Sequence, residues 1–198
     1  MRRRISRALP LFCIAPAVMA ATPRAVALDL QPASRLWISG SSTVRSFECS
    51  ATAFDANVES VPGATTGVLA GEKAVTAVEI RVNTERLDCK NGTMNEHMLK
   101  ALKAKTNPTI VFRLASYELA KQAYVVRVTL AGTLAMGGVE KPVSMTVEAS
   151  EGASGMLHVV GTHELRMTEW GLKPPTLMLG TMKVDERVKV GFDLLLKD

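Results

Sequence analysis

The sequence predicts a mainly β protein of about eight antiparallel strands with one inserted helix. The first observation is a period of two in the apolar residues, which places one face of each strand in a core and the other in water. The second is the punctuation between these segments, where Gly and Pro pairs such as Pro62-Gly63 and Gly137-Gly138 favour turns. Strands of this kind protect their edges by closing into a barrel or by pairing as a sandwich.

The alternating segments recur from residue 78 to the C-terminus. Their same-face apolar residues are Val78, Ile80 and Val82; Ile110, Phe112 and Leu114; Tyr124, Val126, Val128, Leu130 and Leu134; Val143, Met145 and Val147; Leu157, Val159, Leu165 and Met167; and Val188, Val190, Phe192, Leu194 and Leu196. This pattern predicts the strands that form the core.

One stretch has a helical period instead. Met94, Met98, Ala101 and Leu102 recur at the spacing of one helix face. Asn91-Gly92-Thr93 supplies capping residues ahead of it and Asn107-Pro108 ends it, so a helix is predicted at about residues 93–105. Its apolar face is expected to pack over one end of the β structure, and a lid that opens for a ligand is the alternative.

The N-terminus has the pattern of a secretory signal. A basic start, Met1–Arg7, precedes an uncharged stretch from Ala8 to Ala21, which is too short to span a bilayer. Two cleavage sites compete, after Ala20 and after Ala27, and the second is preferred because strand-like patterning begins soon after it. The prediction is a cleaved signal at residues 1–27 and a single domain at 28–198, located in the periplasm or secreted, with no integral membrane segment.

Cleavage changes the charge of the chain. The 198 residues contain 24 Lys and Arg and 19 Asp and Glu. Residues 1–27 hold five Arg and no acid, so the mature chain has 19 of each (24 − 5 = 19). A neutral surface has no general field to attract phosphates, and nucleic acid is therefore not expected as a partner.

Cleavage also removes Cys13 and leaves Cys49 and Cys89. An even pair in an exported protein is most simply a disulfide. The alternative is a two-cysteine metal site, but there is no C-x-x-C spacing, and the nearby histidine is His97 alone. We predict the Cys49–Cys89 disulfide and no metal.

Four segments in order resemble the YceI-like family of exported proteins. They are Trp37–Val44; Asn107–Phe112 after the helix; Leu130–Leu134 with Gly138–Val143; and Met167–Leu172 leading into Val184–Val190. The resemblance covers roughly residues 34 to 196. It implies a lipocalin-like antiparallel β-barrel, a homodimer, and an interior that holds a polyisoprenoid or quinone-type chain. Family members are not known as enzymes. The cysteine pair resembles a disulfide-bearing branch, and the segment Asn57–Lys73 is expected to be a long loop.

The candidate ligand-binding residues are those of the inward faces. They are Val78, Ile80, Ile110, Phe112, Val126, Val128, Met145, Val159, His163, Met167, Trp170 and Phe192. Periodicity alone does not distinguish a barrel filled by its own side chains from one that holds a slender ligand. Two observations favour a cavity. Eight of the ten Met lie in the mature chain, and Met suits adaptable apolar sites. Aromatic residues are only 5% of the sequence, which leaves little bulk to fill a barrel.

Two polar candidates each have two interpretations. His163 shares the phase of Val159 and Leu165, so it could hydrogen-bond a ligand head group. Otherwise it is a core or strand-end histidine satisfied by a neighbouring carboxylate, or a bulge turns it outward. Glu186 shares the phase of Val188 and the same two readings apply. Trp170 is expected to pack beneath the turn before the last strand, with a ligand contact at the rim as the alternative.

Enzyme signatures are missing from the sequence. There is no G-x-S-x-G or H-E-x-x-H motif and no phosphate-binding loop. We therefore expect no enzyme activity, no catalytic residues and no cofactor. The predicted function is periplasmic sequestration of a long apolar ligand, a polyisoprenoid or prenyl-quinone-like lipid. The alternative is an envelope structural or interaction protein with a filled barrel.

Overall fold

The structure is a computed structural model that describes residues 25–177 and 181–198. The predicted signal segment lies outside the described residues except for its last three. The described elements, in chain order, are β1 (Val26–Ala27), β2 (Asp29–Leu30), β3 (Arg35–Ser42), β4 (Ser46–Ala51), β5 (Asp55–Ser60), α1 (Ala64–Ala70), β6 (Val75–Asn83), β7 (Leu87–Asp88), α2 (Gly92–Ala101), β8 (Thr109–Gln122), β9 (Val125–Met136), β10 (Val139–Glu151), β11 (Leu157–Arg166), β12 (Thr176–Leu177) and β13 (Met182–Lys197).

These strands form one antiparallel sheet in the order β1-β5-β6-β8-β9-β10-β11-β13-β3-β4-β7. Neighbours along the chain pair by simple hairpins from β8 to β11, as the closely spaced turn residues predict. Strand β13 then crosses to pair with both β11 and β3, which joins the last strand to the first long one. The prediction of a mainly β, lipocalin-like fold is confirmed.

Short strands are added to this sheet at both of its edges and on β13. On one side, β1 pairs with β5 and β2 pairs with β13. On the other side, β7 pairs with β4 and follows β6 through the 3₁₀ turn Thr84–Arg86. Since β4 and β5 are consecutive in the chain but lie at opposite edges, the sheet curls on itself as a half-barrel with a covered inner face.

Helix α2 is the inserted helix that the sequence predicts. Asn91 is its N-cap, and the Asn91 side chain accepts a hydrogen bond from the Met94 backbone N–H at 3.0 Å. The helix ends at Ala101, four residues earlier than predicted. It stops there because Lys103 takes a left-handed conformation with φ of 55°, and the Asn107 backbone N–H closes the turn on the Lys103 carbonyl oxygen.

Helix α1 lies where the sequence analysis expects a long loop. The expectation for Asn57–Lys73 is wrong: β5 extends to Ser60 and α1 follows. Gly71 ends α1 with φ of 90°, and its N–H bonds back to the Val68 carbonyl oxygen. Ala64 and Val68 are buried against the sheet, so packing holds this helix in place.

The core has two buried clusters, one at each end of the half-barrel. The cluster around α1 contains Val68, Val126 and Leu196, and the cluster beneath α2 contains Leu102 and Trp170. Met145 packs against both clusters and so lies between them.

Tyr124 does not share the face of its strand neighbours, contrary to the alternation pattern. It lies in the turn between β8 and β9 and is 94% exposed. None of the helices in residues 25–177 and 181–198 is long and apolar enough to cross a bilayer.

Candidate functional site

The inner face of the half-barrel encloses an apolar cavity of about 410 Å³. This volume lies within the roughly 300–1,000 Å³ typical of small-molecule sites. Nearly every strand longer than two residues contributes inward side chains, most of them Val, Leu, Ile, Met or Phe. The interior is therefore not filled by the protein's own side chains.

The cavity is elongated along the strands. On β13 alone its wall runs from Met182 through Val184, Val188, Val190, Phe192 and Leu194 to Leu196. At about 3.3 Å per residue, the steps from Val184 to Leu196 correspond to about 40 Å along the strand. The extent along the barrel axis is shorter, because barrel strands tilt by roughly 35–45°. The shape suits a long, slender occupant.

The two ends of the cavity differ in character. Val68 of α1 closes the end that also contains Leu157 and Leu196, so the floor is apolar. At the other end, α2 contributes Met94 and His97, as well as Met98 and Ala101 one turn on. The predicted packing of the α2 apolar face over one end of the β structure is confirmed.

Glycines on the inner face make room for aromatic rings to lie against the sheet. A Cβ atom at Gly161 would lie 2.6 Å from Cζ of Phe192, its partner across the β11–β13 pair. A Cβ atom at Gly132 would lie 2.9 Å from the ring of Phe112. Because both rings occupy the space above a glycine, they cover the wall without projecting across the cavity.

The sequence matches a family model described as YceI-like domain over residues 36–196. The chain belongs to the YceI-like family. The matched range covers most of the sequence and includes every strand from β4 to β12, together with nearly all of β3 and β13. No curated protein sequence matches this chain.

Solved structures share the YceI-like fold at low sequence identity. BcnA from Burkholderia cenocepacia is 17% identical with a TM-score of 0.66, covering 84% of this chain and 99% of its own. A polyisoprenoid binding domain from Saccharophagus degradans, implicated in plant cell wall breakdown, is 13% identical with a TM-score of 0.59, covering 86% and 97%. The Campylobacter jejuni YceI protein is 14% identical with a TM-score of 0.55, covering 74% and 82%.

Ten of the twelve residues predicted for the site of this YceI-like protein line the cavity. They are Val78, Ile80, Ile110, Phe112, Val128, Met145, Val159, His163, Met167 and Phe192. They come from six strands and the turn after β11, so the alternation in the sequence brings distant segments to one wall.

Val126 and Trp170 do not reach the cavity wall. Val126 is buried in the cluster around α1, one inward position beyond Val128. Trp170 is 2% exposed, and its indole Nε1–H donates a hydrogen bond to the Leu134 carbonyl oxygen at 2.9 Å. Trp170 therefore packs beneath the turn before the last strand, in agreement with the first of its two interpretations.

His163 lines the cavity and forms no ion pair with a carboxylate among the described residues. Its side chain makes no hydrogen bond to any residue in the described part of the chain, and it pairs across the sheet with Val190. Burial lowers the pKa of the His163 imidazole, which is therefore held in its neutral form in an apolar wall. Glu186 is not in the wall; it accepts a hydrogen bond from the Thr168 hydroxyl at 2.9 Å.

We expect His163 to make the YceI-like fold sensitive to mild acid. The unfolded chain takes up a proton near pH 6.5 while the folded chain, with its lowered pKa, does not. Folding stability should therefore fall as pH drops from about 7 through 6.5, until the folded-state pKa is passed. Urea unfolding of wild type and His163→Leu at pH 7.5 and 5.5 measures this. A smaller acid-induced loss in the variant is expected, and equal losses in both proteins would contradict it.

The Cys49–Cys89 disulfide is present, as predicted, and both cysteines lie on the cavity wall. It joins β4 to the residue after β7, three residues before α2 begins. The Cys89 backbone N–H also donates to Asn95 Oδ1 within α2 at 2.8 Å. The link therefore fixes the start of α2 over the cavity, and a disulfide fits an oxidising compartment.

The cavity wall also contains residues that the sequence analysis did not select. Tyr117 lines it because a bulge between Leu114 and Ser116 changes the phase of β8. The Tyr117 hydroxyl accepts a hydrogen bond from the Val75 backbone N–H and donates one to the Val75 carbonyl oxygen, both at 3.0 Å. Arg45, in the turn between β3 and β4, lies at the α2 end. No group of three or more His, Cys, Asp or Glu side chains in the described part of the chain is arranged to hold a metal ion.

Proposed function

We propose that this protein sequesters a long apolar ligand, a polyisoprenoid or prenyl-quinone-like lipid, inside its half-barrel. The observation that carries the proposal is the apolar cavity of about 410 Å³ that runs along the strands. A YceI-like relative of known structure is described as a polyisoprenoid binding domain, which supports the same class of ligand.

Burial of the ligand tail is the source of affinity in this proposal. Each Å² of apolar surface removed from water contributes about 25 cal/mol. The described wall is mostly apolar along its length, since the Tyr117 hydroxyl is already bonded and His163 contributes an uncharged imidazole. A long hydrocarbon chain therefore fits the wall better than a polar solute does.

Binding without catalysis is the second part of the proposal. His163 lines the cavity with no hydrogen-bonded carboxylate among the described residues, so it lacks the orienting partner of a general base. The cysteines on the wall are joined to each other and supply no thiolate. Because the cavity is not filled by side chains, it also favours a ligand carrier over an envelope protein with a filled barrel.

We further propose that the protein acts in the periplasm after removal of its signal. The disulfide supports an oxidising location. Of the two cleavage sites, the structure favours the one after Ala20, because Val26 and Ala27 pair with Ser60 and Glu59 as strand β1. The Ser60 hydroxyl also donates to the Val26 carbonyl oxygen at 3.1 Å. Cleavage after Ala27 would remove this strand. The homodimer implied by the family stays a prediction.

Extraction of the native protein and thermal unfolding test the proposal together. Protein purified from the periplasm without detergent should release a prenyl lipid on organic extraction, identified by mass spectrometry. Adding a prenyl quinone to delipidated protein should raise the thermal midpoint, because a ligand at 100 times its Kd stabilises the folded state by about 2.7 kcal/mol. If no apolar molecule is extracted and no prenyl compound shifts the midpoint, the carrier function is excluded.

A further inference from the structure

We propose that the ligand of this cavity has an anionic head group, a carboxylate or phosphate on a long apolar tail, and that Arg45 binds it at the cavity mouth. This inference rests on the proposed carrier function and narrows its ligand class. It predicts that the protein prefers acidic lipids over uncharged ones such as alcohols and quinones.

The charge of the wall is the first observation. Among the described residues that line the cavity, Arg45 is the one with a permanent charge, and none is Asp, Glu or Lys. His163 lies deeper in the wall and is held neutral by its apolar surroundings. A wall that is apolar along its length and has one cation at its open end is complementary to a molecule with a long apolar tail and one anionic end.

The position of Arg45 is fixed by the turn that carries it. The Ser42 hydroxyl donates to the Arg45 carbonyl oxygen at 2.9 Å, and the Arg45 backbone N–H donates to the Ser42 oxygen at 3.2 Å. Thr43, the residue after Ser42, bonds to the start of β13 through its backbone N–H, which donates to the Lys183 carbonyl oxygen at 2.9 Å. The backbone that presents the guanidinium is therefore braced against a neighbouring strand.

The Arg45 guanidinium has no partner in the described part of the chain. Several other arginines on the surface are paired; for example, Arg35 binds Asp193 at 2.8 Å, and Arg113 binds Glu79 at 2.7 Å. Within residues 25–177 and 181–198, neither a hydrogen bond nor an ion pair engages the Arg45 side chain, although the backbone N–H groups of Val44 and Arg45 both donate to the Ser42 hydroxyl oxygen. Its five N–H donors are available to a carboxylate or phosphate, both of which guanidinium binds in a bidentate manner.

Helix α2 adds hydrogen-bonding groups at the same end. Thr93 and His97 both line the cavity there, one turn apart on the helix face that carries Met94. A hydroxyl and an imidazole in the same cavity wall as the guanidinium can bind further oxygens of an anion. The floor, formed by α1, offers apolar side chains instead, so the direction of the ligand is determined: head at α2 and tail towards α1.

Matched pairs of probes test the inference. Delipidated protein is titrated with palmitate against hexadecanol, and with geranylgeranyl phosphate against geranylgeraniol. Within each pair the tail is identical, so the difference in Kd reports the head group. We expect the anionic member of at least one pair to bind about tenfold or more tightly, and the pair that shows it distinguishes a carboxylate from a phosphate ligand.

Variants of the exposed Arg45 then locate the effect. Arg45→Gln should remove the preference for the anion by lowering the affinity for the anionic probe far more than that for the matching alcohol, while Arg45→Lys should keep part of the preference. Arg127→Gln, an exposed arginine on β9 outside the cavity, is the matched control and should retain the full preference. Equal affinities within both pairs, or a preference that survives Arg45→Gln, would overturn the inference while the carrier function stands. No binding of any of the four probes would instead count against the carrier function itself and against the inference with it.

Discussion

Met145→Trp should abolish ligand binding, with a loss of affinity of tenfold or more for a prenyl quinone. Met145 lies on the cavity wall and packs against both core clusters, so it lies near the middle of the cavity. An indole at this position would project across the interior and block the tail. Overpacking of a filled core costs about 1–3 kcal/mol, but here the added ring has the cavity to occupy, so the variant is expected to fold.

Thr146→Trp is the matched control for this change. Thr146 is the next residue on β10, is exposed, and points away from the cavity. Both variants introduce the same side chain into the same strand. Fluorescence titration with a prenyl quinone should show wild-type affinity for Thr146→Trp and loss of binding for Met145→Trp. Equal affinity of the two variants would contradict an interior binding site.

Loss of the disulfide should have the largest effect on stability. The Cys49–Cys89 bond closes a loop with a sequence separation of 40 residues. In the chain-entropy account, such a cross-link stabilises the fold by about 3–4 kcal/mol, because it restricts the unfolded chain. Urea unfolding of the Cys49→Ala, Cys89→Ala double variant should show a decrease of this size in the free energy of unfolding.

Reduced wild-type protein separates the cross-link from the packing of the sulfur atoms. Cys49 is 2% exposed and Cys89 is 9% exposed, so alanine also removes buried contacts. Wild type in reductant keeps both side chains and loses only the bond, and it should lose most of the same free energy. A change below about 1 kcal/mol in both proteins would show that the bond does not constrain the unfolded chain as expected.

The sequence predicts the strands and most of the cavity wall because both depend on local alternation. Phe112, Val128 and Val159 are each in phase with their neighbours on regular stretches of strand, and each lines the cavity. Where the backbone departs from a regular strand, the phase argument fails. Tyr117 reaches the wall only because of the bulge after Leu114. Trp170 lies in the turn beyond the end of β11, where the alternation of a strand no longer predicts which way a side chain points.

Helix α1 shows a different limit of the sequence. Its seven residues, Ala64–Ala70, include two threonines and a glycine, and Ala64 and Val68 alone are too short a pattern to predict a helix. Tertiary contacts form it: Val68 packs on the sheet, and the carboxylate of Asp198, at the far end of the chain, lies 3.3 Å from the backbone nitrogen of Thr65. Such a contact is invisible to any local pattern.

Arg45 was missed for a related reason. Its position in a short turn between β3 and β4 has no periodicity, and an exposed arginine in a turn is ordinary. Its significance depends on the absence of Asp, Glu and Lys from the other described residues of the wall, and only the folded protein shows which residues these are. The same holds for the inward glycines, whose role follows from the aromatic rings that lie over them.

Photo-crosslinking with a prenyl chain that carries a benzophenone at its tail tests the central claim most directly. The proposed mode of binding predicts covalent labelling of residues on the inner wall towards α1, such as Val159, Leu194 and Leu196. Peptide mass spectrometry should find the label on these residues, and excess unlabelled prenyl quinone should prevent it. Labelling confined to outward residues such as Thr146, or labelling that excess quinone does not reduce, would contradict a ligand inside the half-barrel.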